Sequence, residues 1–291
     1  MSTVILLSLT GLGLAGLYFL VASGLSLVFG LADVLNFAHG LFLSVGAYAA
    51  WWSATSLHAG FLVATLVGVL AGALVASLVE LVLIRPLYRR TIQQVLVTVG
   101  LSLAGVALLQ VIWGADARPF PRPVWTSEAS VIGGAVVPNS ALLLVAVSAA
   151  ILAGLLAFLR FTRVGLIIRA GVEDRAMVTA LGIDVRRAFT LVFAIGGAAA
   201  ALAGVLAGVH FTTVSPGQGA SLLIFGFIVV VIGGMGSITG TAWAAAAVGL
   251  LQQFVNYYAS GLGDICVVAL LALVLLVRPQ GLAGVAGGAH A

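Results

Sequence analysis

The sequence contains no lysine: all twelve of its basic residues are arginine. A Walker A motif needs its lysine to reach the phosphates, so the chain carries no P-loop. Energy drawn from ATP would have to arrive through another subunit. Cysteine is nearly absent too. The single Cys266 excludes an internal disulfide and is expected to be a buried, inert thiol. Charge is scarce: 7% of residues are charged, against about 25% in an ordinary globular domain. A secreted disulfide scaffold, a nucleic-acid binder and a disordered regulator are all excluded on these grounds.

In place of charge stand long apolar runs. The hydrophobic share is 63% over 291 residues, and the mean hydropathy is +1.27. A surface built from such a chain is not soluble, so the fold class is an all-α polytopic membrane bundle. Candidate spans fall at 4–30, 37–56, 60–84, 92–113, 138–159, 188–209, 222–240, 243–260 and 262–277. That makes about eight or nine helices, some broken by glycine, in a single domain over 1–291. The runs are apolar on every side and do not alternate, which excludes barrel strands. The first run has no basic segment before it and is read as a retained span rather than a cleaved leader.

Arginine sets the orientation. Arg85, Arg89 and Arg90 form one loop, Arg160, Arg163, Arg169, Arg175, Arg186 and Arg187 another, and Arg278 follows the last span. Even numbers of spans separate these groups, so all lie on one face. By the positive-inside rule that face and the C-terminus are cytoplasmic. Arg118 and Arg122 lie outside, in a Pro-rich loop over about 114–137. Asp33, Asn36 and His39 interrupt the beginning of the chain. Two full spans around them would put the N-terminus outside, and a re-entrant segment would put it inside. Glu80, near the end of its span, is expected to pair with Arg85, and Asp264 to meet water at the start of the last span. The tail from Pro279 is Gly/Ala-rich and expected to be loose.

Three segments could carry function. Asn36 and His39 share a helical face at spacing three. They read either as polar groups of a solute path or as an interhelical hydrogen bond that sets packing. Scattered histidines exclude a metal site. Gly233, Gly234, Gly236 and Ser237 break an apolar run, as either a cavity-lining interruption or a capped helix boundary. Met235, two residues before Ser237, spoils the Gly-x-Ser spacing, so a serine nucleophile is not expected. Phe29-Gly30, Val34 and Gly40 recur as Phe225-Gly226, Val230 and Gly236 at an offset of 196, as two internal repeats would. The loop over about 160–187 holds the third segment. Ala176, Ala180 and Leu181 form an apolar stripe, Glu173 and Asp174 suit a helix start, and Gly182 suits its end. This helix reads as one that docks on a soluble partner, or as one lying on the bilayer or against its own bundle.

Asn36-Phe-Ala-His-Gly40 followed by Gly46-Ala-Tyr48, the segment Glu173–Gly182, Gly233-Gly-Met-Gly-Ser-Ile-Thr-Gly240 and Arg278-Pro-Gln-Gly-Leu282 occur in that order. In this the chain resembles the membrane permeases of bacterial ABC importers for branched-chain amino acids, of LivH type. The resemblance implies a non-enzymatic permease subunit in the inner membrane, with no cofactor of its own. It implies a second related permease, two ABC ATPases that hold ATP and magnesium, and an extracytoplasmic solute-binding protein. Asn36, His39, Gly233, Gly234, Gly236 and Ser237 would border the path. Arg169, Glu173, Asp174, Ala176, Ala180 and Gly182 would form an EAA-type coupling segment against the ATPase. Permeases for urea or short amides share these motifs. A secondary transporter is the alternative from another class, and would need paired intramembrane charges.

Overall fold

The computed structural model describes residues 2–32, 35–88, 90–173, 177–178, 182 and 185–283. Ten helices, here α1 to α10, make up most of it: Ser2–Ala32, His39–Ser56, Phe61–Val79, Thr91–Trp113, Asn139–Phe161, Arg163–Glu173, Val185–Phe211, Gln218–Gly233, Ile238–Tyr258 and Gly263–Val277. Six are long and apolar enough to cross a membrane, and α8 and α10 are shorter apolar helices. With α2 they occupy all nine expected spans. The seventh span, α8, is displaced: it covers Gln218–Gly233 rather than 222–240, because Gly234 and Gly236 turn the backbone at positive φ and Ser237 starts α9.

Of the six long spans α1 and α7 are the most buried, and they form the centre, with α2, α3, α8 and α9 packed around them. The outward faces of α3 and α4 are aliphatic, with Leu62, Leu66, Leu70, Leu74, Ile92, Leu96 and Leu103 exposed. Such faces suit lipid and not water, and the chain is a multi-pass membrane protein. Inside, helices touch through backbone. A methyl group on Gly46 or Gly72 would run into Ala201, one on Gly204 into the Leu43 carbonyl, and one on Gly219 into the Gly40 carbonyl. Small residues permit this approach, and it replaces the hydrophobic drive that helices lack in lipid. The sequence places glycines four apart at Gly68/Gly72, Gly204/Gly208 and Gly236/Gly240, and Gly68/Gly72 lies on one helical contact face, against α2 and α7. Gly236 belongs to a turn, so Gly236/Gly240 is not a helix face.

One end of the bundle carries small sheets absent from the helical pattern of the sequence. Strands β2 (Ala129–Ile132) and β3 (Ala135–Pro138) form a hairpin whose two-residue turn, Gly133-Gly134, has positive φ at both positions. That geometry matches the twist of the strands, and glycine adopts it without a Cβ clash. Strand β1 (Arg118–Pro119) pairs with β4 (Thr213–Val214), joining the Pro-rich loop to the α7–α8 connection. Trp51 Nε1 donates to the Pro119 carbonyl at 3.0 Å, and the Arg118 guanidinium lies over the Trp51 ring at 5.6 Å. Ile5 sits beside Gly133, so α1 starts at this end. Leu31 lies beside Gly171 of α6 at the other end, among the arginine groups. The N-terminal end of α1 therefore faces away from the arginine clusters, and α1 and α2 are two antiparallel helices.

At the arginine end, α3 continues through a π-turn over Glu80–Ile84 and a 3-10 turn over Arg85–Leu87. Pro86 cannot donate to the preceding turn, which loosens the regular ladder. Glu80 is fully buried. The Tyr88 hydroxyl donates to its Oε1 at 2.8 Å and the Thr190 hydroxyl to its Oε2 at 2.7 Å. The expected Glu80–Arg85 pair is thus replaced by two hydroxyls, because Glu80 points into the bundle while Arg85 borders a groove with Arg187. The start of the tail, to Ala283, is anchored rather than loose, while 284–291 fall outside the described residues. Leu282 N–H donates to the Ile232 carbonyl at 2.8 Å and Ala283 N–H to the Gly233 carbonyl at 3.1 Å. Carbonyls at a helix C-terminus lack intrahelical donors, and the tail supplies them to α8. Arg278–Leu282 and the Gly233–Gly240 segment, far apart in sequence, thereby become one structure.

Candidate functional site

Asn36 closes a tight turn between α1 and α2. Its Oδ1 accepts from Ala38 N–H at 3.1 Å, and its carbonyl accepts from His39 N–H at 3.2 Å. A side chain that bonds its own backbone two residues on is the usual device of such a turn. Ring atom Nε2 of His39 donates to the Val21 carbonyl, 3.0 Å away in the middle of α1. A carbonyl only accepts, so Nε2 carries the proton and Nδ1 is the acceptor of the neutral ring. Asn36 is 2% exposed and His39 0%. Their outer atoms, Asn36 Nδ2 and His39 Nδ1, have no hydrogen-bond partner among the described residues. Gly24 makes room for the ring: a Cβ there would stand 2.9 Å from His39 Cε1. The sequence pattern of α1 singles out no role for Gly24, since its need arises from a residue fifteen positions away.

Beyond Asn36 lies an apolar cavity of about 330 Å³, walled by Leu25, Phe37, Val99, Leu103, Leu223 and Phe227. Asn36 and Ser102 are its polar lining. The glycine segment is elsewhere. Gly233 ends α8, Gly234 and Gly236 turn, and Ser237 Oγ accepts from Gly240 N–H at 3.1 Å as the N-cap of α9. This is the capped boundary. The α2 start touches Gly219, fourteen residues up α8 from Gly233 and so about 21 Å away along the axis. The structure does not bring Asn36 and His39 together with Gly233, Gly234, Gly236 and Ser237.

A second cavity, of about 740 Å³, opens at the end away from the arginine groups and was not anticipated. Tyr18, His210, Gln218, Ser221, Gln252 and Asp264 border it. The Tyr18 hydroxyl donates to Gln252 Oε1 at 2.6 Å, and Gln252 Nε2 donates to Asp264 Oδ1 at 2.6 Å. One signal was available. Gln252 and Asn256 stand at i, i+4 spacing inside an otherwise apolar span. The two cavities flank α8. Ser221, Leu222 and Phe225 face the polar one, and Ala220, Leu223, Ile224 and Phe227 the apolar one.

Of the docking segment, Arg169 and Glu173 lie in α6, which packs against α5, α1 and α7 with Ile168 buried and Leu166 exposed. Glu173 is the last described residue of this helix. Gly182 has φ +77. Asp174, Ala176 and Ala180 fall outside the described residues, as does Asp33.

The family model for the branched-chain amino acid transport system, permease component, matches residues 7–277. The chain is 30% identical over 291 aligned residues to the high-affinity branched-chain amino acid transport system permease protein BraD of Pseudomonas aeruginosa, covering 94% of each chain. It is 30% identical over 291 residues to the corresponding permease protein LivH of Escherichia coli, covering 94% of this chain and 93% of the relative. A probable branched-chain amino acid transport permease protein LivH of Methanocaldococcus jannaschii is 26% identical over 293 residues, covering 93% of this chain and 90% of that one. No solved structure gives a significant match.

Proposed function

The chain belongs to the family of branched-chain amino acid transport permease components, and on that premise we propose that it is the permease subunit of an ATP-driven importer of branched-chain or closely related amino acids. The observation that carries this reading is the family match over residues 7–277. The arginine groups gathered at one end of the bundle support it. That end is cytoplasmic by the positive-inside rule, which places the C-terminal side inside and the Pro-rich loop outside the inner membrane. The whole chain acts as one membrane domain.

The chain itself hydrolyses nothing. Its lack of lysine denies it a P-loop, so ATP and magnesium reside on two ATPase subunits below the bundle. A second, related permease completes the path, and an extracytoplasmic binding protein delivers the solute. Arg169, Glu173, Asp174, Ala176, Ala180 and Gly182 form the segment that meets the ATPase. ATP-driven closure of the ATPases acts on this segment and shifts the path between outward and inward states by differential binding. Asn36 and His39 border that path at the α1–α2 turn. The turn at Gly233, Gly234, Gly236 and Ser237 lets α8 and α9 tilt at its inner end.

Reconstituted vesicles test the proposal. With both permeases and ATPases assembled, ATP in the ATPase-facing compartment and the binding protein opposite, radiolabelled leucine accumulates. The chain alone neither hydrolyses ATP nor concentrates leucine. Concentrative uptake by the isolated chain would refute the reading, as would an assembled complex that ignores leucine, isoleucine and valine.

A further inference from the structure

We propose that the polar cavity at the outer end is a binding site for the ammonium group of the solute, with Asp264 as the residue that receives it. This rests on the reading of the chain as an amino-acid permease. The cavity holds about 740 Å³, within the range of pockets that take small molecules. Asp264 is its acidic lining residue, and among the described residues no arginine lines it. An ammonium entering from the outer side therefore meets one carboxylate and no competing guanidinium.

The carboxylate is held in place rather than left to swing. Gln252, 5% exposed, donates to Oδ1 through Nε2, and its own Oε1 is fixed by the buried Tyr18 hydroxyl. The relay uses one carboxylate oxygen. The other, Oδ2, takes no hydrogen bond from the described residues and can accept N–H donors. Asp264 stands in the first turn of α10, where the aligned peptide dipoles favour negative charge. A helix start explains an acid at this position. It does not explain a two-link relay from a buried tyrosine on α1, 234 residues from Gln252 in sequence and adjacent to it only in the fold. His210 adds a further open group, since its Nδ1 is buried without a hydrogen-bond partner among the described residues.

The rest of the wall suits the other end of an aliphatic amino acid. The Tyr18 and Phe225 rings stack with centroids 5.0 Å apart, and Leu14 and Leu222 lie beside them. A carboxylate and an apolar wall in one cavity match a primary ammonium attached to a short hydrocarbon. They do not match an anionic solute.

The test uses the assembled permease–ATPase complex in lipid nanodiscs without binding protein, and radiolabelled leucine as the probe. Saturable, weak leucine binding is expected. 3-Methylbutylamine, which keeps the ammonium and lacks the carboxylate, competes; 4-methylpentanoate, which keeps the carboxylate and lacks the ammonium, does not. Asp264→Asn weakens leucine binding tenfold or more. Gln252→Leu, which frees the carboxylate from its relay, weakens it less. Competition by the acid but not the amine overturns the proposal, as do unchanged binding in Asp264→Asn and the absence of saturable binding. If Asp264→Asn fails to assemble, the two analogues on the unaltered complex decide the matter. A complex that transports leucine normally but fails this test overturns the ammonium site and leaves the importer reading standing.

Discussion

Substituting alanine for glycine should change sign across this molecule, according to what stands opposite each glycine. At Gly204, on α7, a new Cβ would meet the Leu43 carbonyl oxygen of α2, with the carbonyl carbon at 2.9 Å and Leu43 Cδ2 at 3.2 Å. Carbon atoms prefer about 3.5–4.0 Å. The obstruction is backbone, so no rotamer change relieves it and α2 must move away by about 1 Å. A gap of that size forfeits a quarter to a half of each dispersion contact along the seam. The same seam includes Gly46 against Ala201. Overpacking of a dense core costs about 1–3 kcal/mol, and a backbone collision belongs at the upper end. At Gly100 on α4 and Gly154 on α5 nothing stands within 4 Å of the added atom. There alanine gains only its helix propensity over glycine, about 0.5–1 kcal/mol. Thermal unfolding of the detergent-purified chain, followed by size-exclusion chromatography of fluorescent fusions, measures all three. Gly204→Ala should lower the apparent Tm by several degrees, and Gly100→Ala and Gly154→Ala should leave it unchanged or raise it. Equal losses at the three sites would show that the α2–α7 backbone contact does not hold the bundle.

Glu80→Leu removes the acceptor that the half-buried Tyr88 and Thr190 hydroxyls share; a typical hydrogen bond contributes about 0.5–1.5 kcal/mol, and one to a charged group about 1.5–3 kcal/mol. It should destabilise the chain more than Thr190→Val, which removes one donor, and equal Tm values for the two would contradict the assignment. Gly281→Ala forces a residue at φ +78 to carry a Cβ that would stand 2.6 Å from Gly234 N. It should release the tail from α8 and raise amide exchange at Leu282 and Ala283, whereas unchanged exchange would mean the tail is held by something else. Ala180→Glu places an unpaired charge on the apolar stripe of the docking segment, which costs several kcal/mol if that stripe is packed in a groove. Membrane insertion should persist while co-purification of the ATPase is lost, and a mutant that still pulls down the ATPase would make the segment a surface helix.

The apolar helices, their order and the gathering of arginine at one end were legible in the sequence. Each depends on a local property: about twenty apolar residues satisfy the bilayer wherever their neighbours lie, and arginine is costly within it. The capping serine and the glycine turn after α8 were legible for the same reason, since a helix boundary is a matter of a few adjacent residues. The direction of α1 was not, because it depends on Ile5 meeting a hairpin more than a hundred residues on. Nor were the hydroxyl partners of Glu80, the tail that supplies donors to α8, or Gly24 yielding space to His39. The polar cavity shows the difference most clearly. Tyr18, Gln252 and Asp264 are unremarkable members of three separate helices, and their relay forms only where α1, α9 and α10 converge. Hydropathy averages over such residues. Contact between distant segments is decided by which backbones can approach, and in this bundle that was settled by the glycine-lined seams between helices rather than by any pattern along one of them.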